Sequence, residues 1–111
     1  MANAKRSERA QTLILKLAAD FIERDINPKE TVTTVTRVEL SPGMKEARVF
    51  ISVWPDSREP EVLGLLKEAK RDFYEYMKKN FKIKYMPVFD FKADGGERAR
   101  QKIEEILKNS K

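Results

Sequence analysis

The apolar residues of this chain change their spacing along its length, and the order of those changes restricts the fold more than any single motif. From Ser7 onward, Ala10, Leu13, Ile14, Leu17, Ala18, Phe21 and Ile22 recur at helical intervals, with Lys16, Asp20, Glu23 and Arg24 on the other side. The helix they predict ends before Asn27-Pro28, because a residue ahead of a proline is pushed out of the helical region. The period then shortens. Over Thr31–Leu40, Val32, Val38 and Leu40 share one face and Arg37 and Glu39 the other, as a half-buried strand requires. Ser41-Pro42-Gly43 makes a turn, after which Ala47, Val49, Ile51 and Val53 alternate with Arg48, Phe50, Ser52 and Trp54. Two such strands around a short turn predict an antiparallel hairpin.

The helical period returns after a polar break at Pro55–Pro60, with Glu61 placed to complement the new helix dipole. Val62, Leu65, Leu66, Ala69, Phe73, Tyr76 and Met77 trace one apolar face, which suits either one long helix or two short ones meeting near Ala69. Val88–Ala93 reads as a third strand with Phe89, Phe91 and Ala93 inward, stopped by Asp94-Gly95-Gly96. A last helix is expected from Glu97 to Lys108, on the stripe Ala99, Ile103, Ile106 and Leu107. The class is α+β: a three-stranded sheet covered on one face by helices. With 111 residues there is room for one hydrophobic core, so a single domain is expected, ordered from about Arg6 to Leu107 with short flexible termini.

Composition removes much chemistry. Cysteine and histidine are both absent, which excludes a disulfide framework, thiolate metal sites and the commonest general base. Asp90, Asp94 and Glu97 do not have the spacing of a calcium loop and read as a cap and a dipole partner. Gly95-Gly96 lacks the remaining residues of a phosphate-binding loop. No enzymatic activity, metal or cofactor is expected. The amino terminus lacks the apolar core of a signal peptide and no window suits a membrane span, so a cytoplasmic protein is expected.

What remains is positive charge. The net charge is +5 and the sequence pI about 9.5, the electrostatic footprint of a domain that approaches phosphates. Lys67, Lys70 and Arg71 flank the possible helix break, and Lys78, Lys79, Lys82 and Lys84 follow with no acidic residue among them. Part of this second group has a structural explanation, since cations at a helix carboxyl end are favoured by its dipole. Lys5, Arg6 and Arg9 form another group at the chain start, where a basic arm is able to track a nucleic-acid backbone.

Arg9 within the first helix, the segment VTRVELSPGMKEARVFISVWPD, the run from LLKEAKRDF to KIKYMPVFDFKAD and the closing GGERARQKIEEIL together resemble the ribosome-binding factor A family, collinearly from about Arg6 to Leu107. The resemblance implies a type II K-homology (KH)-like fold and a bacterial factor without catalytic activity. Such a factor binds the immature 30S small ribosomal subunit and its 16S rRNA, assists late maturation, and leaves in association with an assembly GTPase. It also implies that Ala69, Lys70 and Arg71 match the family's Ala-x-Gly kink between two helices, with arginine in place of the glycine, and that Tyr74 stands where an arginine is frequent. A glycine there would accept backbone geometry that arginine resists, so a shallower kink is expected. The expected RNA-binding set is therefore Lys5, Arg6, Arg9, Lys67, Ala69, Lys70, Arg71, Lys78, Lys79, Lys82 and Lys84, in a monomer with no membrane partner. Two alternatives stand beside it: a protein-interaction module using Phe50 and Trp54 on the outer sheet face, and a generic KH-type single-stranded nucleic-acid binder.

Overall fold

The structure, a computed structural model, describes residues 2–95, with side chains from Arg6 onward. The helix expected over Glu97–Lys108 and the residue Gly96 lie outside the described residues. Helix α1 (Ala2–Asp25) is followed by strands β1 (Val32–Leu40) and β2 (Glu46–Trp54), helices α2 (Glu59–Glu68) and α3 (Lys70–Asn80), and strand β3 (Val88–Ala93). The sheet order is β1-β2-β3, with β1 and β2 antiparallel and β2 and β3 parallel. A parallel neighbour needs a crossover, and α2 and α3 supply it. This α-β-β-α-α-β order around a three-stranded mixed sheet is the type II KH-like arrangement.

The inner face of β2 is apolar throughout: Ala47, Val49, Ile51 and Val53 are all buried. Phe89, Phe91 and Ala93 of β3 stand opposite Ala47, Val49 and Ile51 in the register, on the same face. The helices cover this face. Phe73 of α3 lies at the centre of an aromatic cluster, with edge-on contacts to Phe21 of α1 at 5.2 Å and to Phe89 and Phe91 at 5.1 and 5.0 Å between ring centroids. Ile14, Ala18, Phe21 and Ile22 of α1 and Val62 and Leu66 of α2 complete the core.

Strand β1 departs from strict alternation. Val35 pairs with Ile51 but Arg37 pairs with Phe50, so Thr36 is the extra residue of a bulge. One inserted residue reverses which side chains point inward. Val35 and Val38 are buried, whereas Val32, expected on the same face as Val38, lies 61% exposed opposite Trp54. The Thr36 hydroxyl donates to the Asp94 carboxylate at 2.5 Å, and Arg37 Nε approaches the same oxygen at 3.8 Å. Asp94 therefore serves as an anchor between the bulge and the end of β3. The first turn of α2 is fixed by Arg58, whose guanidinium donates to both Glu61 carboxylate oxygens at 2.7 and 3.0 Å. That hydrogen bonding holds the Glu61 carboxyl below its usual range and the Arg58 guanidinium more firmly charged.

Candidate nucleic-acid interface

The apolar stripe between Val62 and Met77 belongs to two helices. Ala69 ends α2 and caps α3 with φ −89° and ψ 10°, and its N–H donates to the Leu65 carbonyl at 2.9 Å while its own carbonyl accepts from Phe73 at 2.8 Å. The junction requires no left-handed residue: the positive-φ positions among the described residues are Glu30, Gly43 and Met44. Arg71 occupies ordinary helical backbone inside α3. The kink therefore forms on Ala69 alone, and the arginine that follows carries no conformational penalty.

The break separates the cations that the sequence runs together. Lys67 lies in the last turn of α2, and Lys70 and Arg71 in the first turn of α3. Lys78 and Lys79 lie in its last turn, with about 14 Å of helix between Lys70 and Lys79. Spacings of three and four residues bring Arg71, Tyr74 and Lys78 onto one stripe. Tyr74 is 41% exposed, and the Lys78 ammonium lies 5.7 Å from its ring centroid. Asp72, also in the first turn of α3, offsets some of the positive end of that helix.

A second grouping crosses the whole fold. Helix α1 starts at Ala2, five residues ahead of where the apolar period begins, so Arg6 and Arg9 ride on a helix and not on an extended arm. The Lys5 side chain lies outside the described residues. Arg6 and Arg9 share one groove of about 590 Å³ with Lys82 and Lys84, which follow α3. The groove also contains Leu13, Gly43, Met44 and Tyr85. Leu13 is 38% exposed there, although its spacing assigns it to the core stripe, and Tyr85 is 76% exposed. Neither charge nor motif marks these two as site residues. A helix position at the edge of the apolar stripe is the signal the sequence holds for Leu13.

Four of the other surface cations are used within the fold. Arg24, Arg37, Arg58 and Lys92 form ion pairs with Asp25, Glu39 and Asp94, Glu61, and Asp90. Among the described residues no ion pair engages Arg6, Arg9, Lys67, Lys70, Arg71, Lys78, Lys79, Lys82 or Lys84. The outer sheet face is broken up: the Arg37 guanidinium lies 4.0 Å above the Phe50 ring, so Phe50 and Trp54 do not make one apolar patch. No group of three or more carboxylates able to hold a metal ion occurs among the described residues, and no described helix is long and apolar enough to cross a membrane.

The family model for ribosome-binding factor A matches residues 6–107. The chain belongs to the ribosome-binding factor A family. It is 35% identical over 111 residues to the ribosome-binding factor A of Thermodesulfovibrio yellowstonii, covering 96% of this chain and 94% of that one. It is 34% identical over 112 residues to that of Syntrophus aciditrophicus, covering 96% and 91%. The crystal structure of ribosome-binding factor A from Thermus thermophilus superposes with a TM-score of 0.69 at 19% identity, over 78% of this chain and 93% of that one. The solution NMR structure of a Thermotoga maritima protein gives 0.63 at 30% identity, over 79% and 87%. In this member of the ribosome-binding factor A family an exposed guanidinium, Arg71, stands one residue past the Lys70 that opens α3.

Proposed function

We propose that this chain is a ribosome assembly factor that binds the immature 30S small ribosomal subunit through its 16S rRNA. It assists late maturation there, acting as a single-domain cytoplasmic monomer with no catalysis of its own and leaving with the help of an assembly GTPase. The observation that carries this reading is the clustering of unpaired cations. Among the described residues, those at the α2–α3 junction, the end of α3 and the α1 groove lie in groups with no carboxylate partner, whereas Lys16, Lys29, Lys45 and Arg48, also unpaired, belong to none of these groups. A polyphosphate is the anion such a spread of charges fits, since each neutralised phosphate releases condensed counterions. Ala69 contributes by turning the chain so that Lys70 and Arg71 stand at the positive end of α3, where backbone N–H groups add to their pull.

Binding assists maturation only if the factor prefers one arrangement of the RNA to another, because equal affinity for both shifts nothing. Neutralising Lys70, Arg71, Lys78 and Lys79 to glutamine is expected to weaken co-sedimentation with small subunits. It should also reduce the slope of log affinity against log salt by about one for each phosphate that is no longer neutralised. Unchanged co-sedimentation and an unchanged slope would rule these residues out as the RNA-facing surface. A complex that resists both nuclease and high salt would point to a protein partner in place of RNA.

A further inference from the structure

The groove beside α1 differs in kind from the surface at the α2–α3 junction. Its floor is apolar, made by Leu13, Met44, Phe81 and Ile83, and no carboxylate lines it among the described residues. Arg6, Arg9, Lys82 and Lys84 stand around that floor. Phosphates on a helical RNA offer an apolar floor nothing to bury, so charge alone does not account for its construction. Tyr85 is the most exposed of the large apolar and aromatic side chains there, at 76%, and the Lys84 ammonium lies 5.5 Å from its ring centroid. An open aromatic ring among cations is the platform on which unpaired bases stack. The turn that brings Met44 to the floor holds two successive residues in left-handed geometry, Gly43 at φ 75° and Met44 at φ 56°. For methionine this is a costly conformation of the kind that accumulates at binding sites. The volume of about 590 Å³ falls within the range of small-ligand sites, roughly 300 to 1,000 Å³, which suits a nucleotide and is too small for a duplex.

We propose that this groove is a pocket for one unpaired nucleotide of the bound RNA. The base lies against Leu13, Met44, Ile83 and the Tyr85 ring, and the flanking phosphates meet Arg6, Arg9, Lys82 and Lys84. The proposal rests on the RNA-binding reading and adds discrimination to it. The junction cations see phosphates, which paired and unpaired RNA both present; the groove sees a base face, which only unpaired RNA exposes.

The test uses the full chain, followed by NMR while adenosine 5′-monophosphate, ribose 5-phosphate, single-stranded hexa-adenylate and a six-base-pair RNA duplex are added separately. The adenine nucleotide and the single strand are expected to shift Leu13, Met44 and Tyr85 resonances. Ribose 5-phosphate, which has no base, should leave Leu13 and Met44 in place. Tyr85→Ala, at an exposed position that spares the core, is expected to weaken single-strand affinity about tenfold and leave duplex affinity unchanged, while Tyr85→Phe retains binding. Single-strand affinity equal in Tyr85→Ala and the parent chain, or shifts confined to the α2–α3 junction, would overturn the pocket. The outcomes also separate the two readings. If Tyr85→Ala keeps small-subunit binding and the junction set loses it, the pocket fails and RNA binding stands. If neither variant loses it, both fail.

Discussion

A methyl group added at Gly43 and one added at Gly64 should have opposite effects, and the reason lies entirely in the backbone. Gly43 has φ 75°, and a Cβ there meets nothing closer than the Lys45 side chain at 4.0 Å, so the obstacle is conformational and not steric. Gly43→Ala is expected to destabilise the fold by about 1 kcal/mol, the cost of holding an L-residue in left-handed geometry. Gly64 sits on the exposed side of α2 with no atom within 4 Å of an added Cβ. Gly64→Ala is expected to stabilise by roughly 0.5 to 1 kcal/mol. Urea unfolding of both variants against the parent chain checks the pair, and equal signs would contradict the assignment. Thr36 shows why some residues resist reading from sequence. Nothing in the run Val35-Thr36-Arg37 distinguishes a bulge from a regular strand, and the error propagates to Val32, whose side chain the inserted residue sends outward. The hydroxyl partner that holds the bulge, Asp94, is 58 positions away.

Strong periods made most elements legible. Val88–Ala93 coincides with β3, its inward set of Phe89, Phe91 and Ala93 matches the register, and the hairpin of β1 and β2 falls where the Ser41-Pro42-Gly43 turn predicts. Periodicity could not divide α2 from α3, because Ala69 leaves helical backbone geometry, at φ −89° and ψ 10°, without interrupting the apolar stripe: Leu66, Phe73 and Met77 are all buried on either side of it. The elements depend on one another through the aromatic cluster. Among the described residues Phe73 alone touches rings from α1 and β3, so Phe73→Ala removes the ring at which three elements meet. A loss of about 3 to 5 kcal/mol is expected in denaturant unfolding. A loss below about 1 kcal/mol would mean that the cluster repacks around the vacancy and that α3 is held elsewhere.

For the molecule as a whole, the cationic residues of the candidate interface were legible one by one and their grouping was not. Sequence joins Lys67 to Lys84 into one basic stretch, whereas the fold sends Lys82 and Lys84 to Arg6 and Arg9, about seventy-five positions away in the chain. Only tertiary structure could bring Leu13, Met44 and Tyr85 to the same place. The mixed sheet has a further consequence, which concerns the order of folding. Leu40 and Ala47 pair across seven positions, but Glu46 and Val88 pair across 42, the difference 88 − 46. Closing the longer loop costs about 1.6 kcal/mol more in chain entropy, before any cost of docking the helices between. The hairpin is thus free to form early, while β3 has no place to bind until α2 and α3 have crossed the sheet. Phe89→Leu is accordingly expected to accelerate unfolding and leave the refolding rate nearly unchanged, a φ-value below about 0.3 in stopped-flow kinetics. A value near 1 would put β3 in the nucleus; a low one makes it the latch that fastens a sheet already two-thirds assembled.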